Sequence, residues 1–168
     1  MHAKDTLLSQ VFVGIEPAAA RKYWALKGML NTFHGGNGIF LQLQLLDLDN
    51  RILSENFYWL PVDNDAYTGL NNTRAASIQA EARWFDGKIE LKLSNFSPGM
   101  VAFFSRITMM NPNTRKRLMS GFYSDSYISI APGSQRTIYL EYNPEKDFGT
   151  PLVSISGWNV SEATLDTI

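Results

Sequence analysis

Residues 39–61, IFLQLQLLDLDNRILSENFYWLP, read as two strands joined by a polar turn. Ile39, Leu41, Leu43 and Leu45 oppose Phe40, Gln42, Gln44 and Leu46, the period of two that marks a half-buried strand. Asp47-Leu48-Asp49-Asn50 makes the turn, Ile52 to Leu60 returns, and Pro61 ends the return strand. A weaker copy follows from Val101, VAFFSRITMMNPNTRKRLMSGFYSD. Phe40 answers to Phe104, the Asp47 turn to Asn111-Pro112-Asn113-Thr114, and Arg51-Ile52-Leu53 to Arg117-Leu118-Met119. Phe57-Tyr58 answers to Phe122-Tyr123. Self-similarity in this order predicts repeated structural units.

Composition narrows the function classes. The chain has 168 residues, 45% hydrophobic and 18% charged, which describes one or two ordinary globular domains. Lys plus Arg is 15 against 16 Asp plus Glu, a net charge of −1. That balance gives no electrostatic basis for nucleic acid or an acidic membrane as partner. The absence of cysteine excludes disulfides, thiolate metal sites and cysteine nucleophiles. No run of about 18 apolar residues could cross a bilayer as a helix. The opening MHAKDTLLSQ lacks the apolar core of a signal peptide and reads as an arbitrary start, so it does not reveal the compartment.

Outward from the opening motif, Leu8 to Ile15 alternates as a strand. Residues 16–27 admit two readings. Pro17, three alanines and Gly28 suit a helix. Alignment of Pro17 with Pro132 suits a turn followed by a strand, which we favour. His34 sits in a glycine-rich turn without a second ligand at metal spacing. Asp47 and Asp49 resemble the start of a calcium loop but lack its glycine and distal glutamate. Residues 62–73, VDNDAYTGLNNT, are rich in turn formers and read as a linker that packs down. Beyond it, Ser77 to Trp84 alternates, Asp86-Gly87 follows, and Ile89, Leu91 and Leu93 alternate again, a strong hairpin signal. Further strands are expected at 101–110, 118–123, 127–130, 135–142 and 152–159, with 161–168 as a polar tail.

Short strands at regular spacing predict an all-β protein, an immunoglobulin-like β-sandwich. By length, residues 63–168 can hold about seven strands, a complete sandwich, and residues 1–62 about four, the later part of a truncated one. An unfinished sheet edge of that kind would favour a homodimer by strand pairing.

Catalytic groups are sparse. A retaining glycosidase needs two carboxylates roughly 5 Å apart, yet Glu55, Glu81, Glu90 and Glu141 fall on solvent-facing positions of separate strands. Ser124-Asp125-Ser126 lacks a nucleophile elbow, Arg115-Lys116-Arg117 reads as a solvated turn flank, and no dinucleotide or phosphate loop occurs. We therefore assign no catalytic, cofactor or metal residue. Trp59, Tyr67, Trp84 and Trp158 are the aromatic candidates for carbohydrate or interdomain contact, core packing being the commoner use of such residues. Glycosylation sequons occur at Asn71, Asn95 and Asn159.

Residues 54–60, SENFYWL, resemble the NxYWLS-type signature in the C-terminal region of glycoside hydrolase family 2 enzymes, most like exo-β-D-glucosaminidases and next β-mannosidases. The preceding FLQLQLLD, at 40–47, is similar to the family's strand before that signature. Ala102-Phe103-Phe104, Tyr123-Ser124-Asp125-Ser126-Tyr127, Ala131-Pro132-Gly133-Ser134 and Ser156-Gly157-Trp158-Asn159 match, in order, four motifs of the family's last domain. Tyr123 stands where Trp is common and Ser126 where Asn is common.

The resemblance implies tandem immunoglobulin-like domains at the C-terminal end of an exo-acting glycosidase that hydrolyses O-glycosyl bonds. It implies that the catalytic glutamates lie on a (β/α)₈ barrel upstream, so none carries over. Other domains of the parent enzyme are the implied partners, with oligosaccharide as a further one, and a periplasmic or extracellular location is implied for the parent. A carbohydrate-binding module using exposed aromatics is the alternative.

Overall fold

The computed structural model describes residues 39–61, 70–85, 88–142 and 149–167. The readings at residues 1–38, including the helix-or-strand question at 16–27 and His34, lie outside them, as does Tyr67. The chain divides into two compact units that part between Thr73 and Arg74.

In the first unit, β1 (Ile39–Leu46) and β2 (Ile52–Leu60) form an antiparallel hairpin, from Ile39 opposite Leu60 to Leu46 opposite Ile52. The turn is built on Asp47, whose Oδ1 accepts from Asp49 N at 2.9 Å and Arg51 N at 2.8 Å. Those bonds occupy the carboxylate that resembled a calcium ligand. Glu55 accepts from Gln42 Nε2 and Gln44 Nε2 at 2.9 and 2.6 Å, a cross-strand polar cluster. Phe40 and Phe57 meet on the same face with ring centroids 5.8 Å apart.

The second unit is an all-β sandwich with, among the described residues, eight strands: β3 (Ile78–Phe85), β4 (Lys88–Asn95), β5 (Ala102–Met110), β6 (Gly121–Tyr123), β7 (Ile128–Ile130), β8 (Gln135–Tyr142), β9 (Leu152–Ser156) and β10 (Ala163–Leu165). One sheet runs β10-β9-β5-β7 and the other β3-β4-β8-β6, with every ladder antiparallel. Alternation dictates the inner faces. Ile89, Leu91 and Leu93 of β4 and Ile138 and Leu140 of β8 pack towards Ile107 and Met109 of β5, Ile128 and Ile130 of β7, and Val153 and Ile155 of β9. Each such aliphatic side chain contributes about 1.5–3 kcal/mol on burial. The strands flanking the Asp-Gly pair meet as expected, Phe85 opposite Lys88.

Three expectations are corrected. The polar tail holds a strand, since β10 pairs with β9 through Ala163 opposite Ile155. The strand expected over 152–159 stops at Ser156, where Gly157 turns the chain. The repeat is a repeat of turns, not of hairpins. Asn111 Oδ1 accepts from Asn113 N and Thr114 N much as Asp47 does in its own turn, and Arg115 takes φ 56° where Asn50 takes φ 62°. After a single bridge between Met110 and Arg117, however, the chain crosses to the other sheet, where β6 pairs with β8. Tyr123 marks the crossing: its hydroxyl accepts from Met109 N in the opposite sheet at 2.9 Å. The inward tyrosine ties the crossing to β5, a tertiary contact that local periodicity does not encode.

Candidate functional site

The four family-like motifs of residues 102–159 lie in the second unit, where two buried asparagines engage three of them. Asn95, at the end of β4, is fully buried. Its Nδ2 donates to Met100 O at 2.7 Å and Ile130 O at 2.9 Å, and its Oδ1 accepts from Ser97 N at 2.9 Å. Its main chain bonds the Ala131–Ser134 turn twice, accepting from Gly133 N and donating to Ser134 O. Two Pro-Gly turns meet there, with Gly99 at φ 65° and Gly133 at φ 71°, a conformation that glycine takes without strain.

Asn159 works the same way on the opposite sheet. Its Nδ2 donates to Arg74 O and Val101 O, both at 2.9 Å, and its Oδ1 accepts from Phe103 N at 2.8 Å. Gly157 lets this loop approach: a Cβ there would lie 3.0 Å from Phe103 O and 3.1 Å from Val160 Cβ. Two of the three sequon asparagines are thus internal clamps rather than glycan acceptors, while Asn71 is exposed. The Tyr123–Tyr127 motif is also structural in part, since Ser124 Oγ accepts from Tyr139 N at 2.9 Å and Asp125 meets Arg136 at 3.4 Å.

Three of the aromatic candidates fall among the described residues. Trp59 lies on β2 in the first unit. Trp84, next to last in β3 and partly exposed, sets its ring edge-on to Tyr142 at 5.6 Å. Burial raises the Tyr142 hydroxyl pKa above the ordinary tyrosine value. Trp158 lies in the Asn159 loop, 55% exposed, its main-chain N–H donating to Phe103 O.

Two surface features were not singled out from the sequence. The first is a ridge of Phe103, Phe104 and Tyr127, with ring centroids 5.8 Å apart between the two phenylalanines and 5.2 Å between Phe104 and Tyr127. Phe104 at φ 53° and Tyr127 at φ 57° both hold left-handed backbone, which strains L residues. Phe104 sits at the register break between β5 and β7, and Ser129 Oγ accepts its N–H at 3.2 Å. Both side chains are 50% exposed. The second is a depression of about 120 Å³ on the outer face of β3-β4-β8, lined by Gln79, Glu81, Lys92, Ser94, Phe96 and Gln135. Strand alternation would have placed those polar residues outward, but only the strand register brings them together.

Carboxylates on the described surface are dispersed into local pairs. Glu81 meets Arg83 at 3.5 Å, Glu141 meets Lys88 at 2.6 Å, and Glu162 accepts from Ser154 Oγ at 3.1 Å. Among the described residues no three His, Asp or Glu side chains converge as a metal site would require.

The model of the exo-beta-D-glucosaminidase Ig-fold domain matches residues 56–160. The chain belongs to this family. The match embraces both clamps, from the turn at Asn95 to Asn159. Solved structures agree with the Ig-fold assignment. The exo-chitosanase CsxA of Amycolatopsis orientalis is 25% identical with a TM-score of 0.68, over 79% of this chain and 18% of that chain. A second structure of CsxA, from work on inhibition of this exo-beta-D-glucosaminidase by a glucosamine-configured castanospermine and an amino-australine analogue, superposes with a TM-score of 0.66 at 25% identity, over 77% of this chain and 18% of that one. The Ig-fold chain therefore spans less than a fifth of the length of these enzymes. No curated protein sequence matches it.

Proposed function

We propose that this chain is a non-catalytic C-terminal β-sandwich region of a family 2 exo-acting glycosidase of the exo-β-D-glucosaminidase type, where it packs on and supports the catalytic barrel. The observation that carries the reading is the family match over 56–160 in a chain equivalent to 18% of an exo-chitosanase. The described carboxylates favour it too, because each pair found is a surface ion pair or a brace between neighbouring groups.

The strained ridge of Phe104 and Tyr127 is the surface we assign to contact with the rest of the enzyme. Two half-exposed aromatic rings on positive-φ backbone, in ring contact with each other, support that assignment. The carbohydrate-platform alternative gains less support, since the ring pairs among the described residues are inclined at 40°, 45° and 66° and make no coplanar surface.

The test is direct. The purified chain should release no nitrophenol from para-nitrophenyl β-D-glucosaminide, and removing it from the parent enzyme should lower the parent's melting temperature. Turnover by the chain alone, or a parent equally stable without it, would refute the reading.

A further inference from the structure

We infer that the outer face of the β3-β4-β8 sheet carries a saccharide-binding site in the depression lined by Gln79, Glu81, Lys92, Ser94, Phe96 and Gln135. Gln79, Ser94 and Gln135 stand opposite one another across three adjacent strands, one row of outward side chains. At the usual interstrand spacing that row spans about 10 Å. Glu81 and Lys92 form the next row. Phe96, 68% exposed, stands beside the first row.

The chemistry selects the ligand. Two carboxamides and a hydroxyl each donate and accept, as sugar hydroxyls do. Among the described residues, the side-chain polar atoms of Gln79, Lys92, Ser94 and Gln135 bond to no other protein group. Glu81, paired with Arg83, and Lys92 put charges of both signs beside the row, so it is not a cluster of cations built for phosphate. An aromatic face beside such a row suits the C–H face of a pyranose ring, with the hydroxyl rim turned to the polar side chains.

The site is also preorganised. Asn95 fixes Ser97 next to Phe96 through Oδ1, and it fixes Ser134 next to Gln135 through its main-chain N–H. Ser97 is held from the other side, its Oγ accepting from Ser77 N at 2.6 Å. One buried residue therefore sets the distance between the aromatic wall and the far end of the polar row. This site is separate from the aromatic ridge, and its failure would leave the supporting role untouched.

The experiment is an amide-resolved NMR titration of the whole chain with two probes, a glucosamine tetrasaccharide and cellotetraose. Saturable millimolar binding of either probe is expected, with the shifts centred on Gln79, Ser94, Phe96 and Gln135. Phe96→Ala should weaken that binding roughly tenfold, the effect of losing one stacking contact. Phe122→Ala, at an equally exposed aromatic of the same sheet, should not change it. Should Phe96→Ala disturb the fold, Gln135→Ala carries the same expectation. Binding of neither probe, or undiminished affinity in the substituted chain, would overturn the assignment.

Discussion

Asn95→Ala should be among the most damaging single substitutions in the second unit, although it removes only one small polar side chain. Two carbonyls, on Met100 and Ile130, and one amide, on Ser97, would lose their partner together. A hydrogen bond contributes about 1 kcal/mol net, and a buried group left unpaired costs about 1–3 kcal/mol. Ser97 is only half-buried, and water could reach part of the gap, which places the total near 3–5 kcal/mol. Domains of this kind are stable by only about 5–15 kcal/mol. In urea, with an m-value of about 2 kcal/mol per molar, the midpoint should fall by about 2 M with m unchanged. Hydrogen exchange supplies the local readout. Ser97 N–H loses protection, whereas Gly133 N–H, bonded to the Asn95 main-chain oxygen, keeps much of its own.

Asn95→Asp separates hydrogen bonding from size. The carboxylate would face two carbonyls without a cation, so burial raises its pKa in the folded state. Stability is then greatest below the unfolded value of about 3.9 and is lost as pH rises through the folded pKa, a pH dependence that Asn95→Ala lacks. A loss under about 1 kcal/mol for Asn95→Ala, or unchanged exchange at Ser97, would refute the reasoning.

Gly157→Ala should destabilise by about 1–3 kcal/mol, because the new methyl meets the Phe103 carbonyl, which Trp158 N–H already holds in place; a melting curve measures it at about 4–8 °C per kcal/mol. Ser105→Ala should be neutral or stabilising by up to about 1 kcal/mol, since the fully buried Ser105 hydroxyl has no hydrogen-bond partner; the urea midpoint decides the sign. Tyr142, with its pKa raised by burial, contributes stability that is complete below about pH 10 and declines as pH rises through its folded value. Tyr142→Phe should flatten that alkaline decline, read as denaturation midpoints across the alkaline range.

Much of the architecture was legible because strand alternation is a local code. β8 ran over Gln135–Tyr142 as the period of two predicts, and β3 and β4 met around Asp86-Gly87. Local codes failed where a distant partner decided the outcome. Ala163–Leu165 becomes a strand because β9 offers an unpaired edge, and nothing in Ala-Thr-Leu announces that. The copy of the first hairpin kept its turn chemistry at Asn111 but lost its partner strand, because Tyr123 reaches across to Met109. Function was harder to read. Phe104 and Tyr127 became notable through backbone angles that no composition reveals. The Gln79-Ser94-Gln135 row exists only once three strands are in register.

The Asn159 bond to the Arg74 carbonyl joins residues 85 positions apart, and Ala76 bridges Val160 beside it. The second unit is therefore a loop drawn shut by its own two ends. Contacts of such long range make folding slow, since the chain must search a wide volume before they form. During synthesis that closure waits until Asn159 has emerged, 85 residues after Arg74.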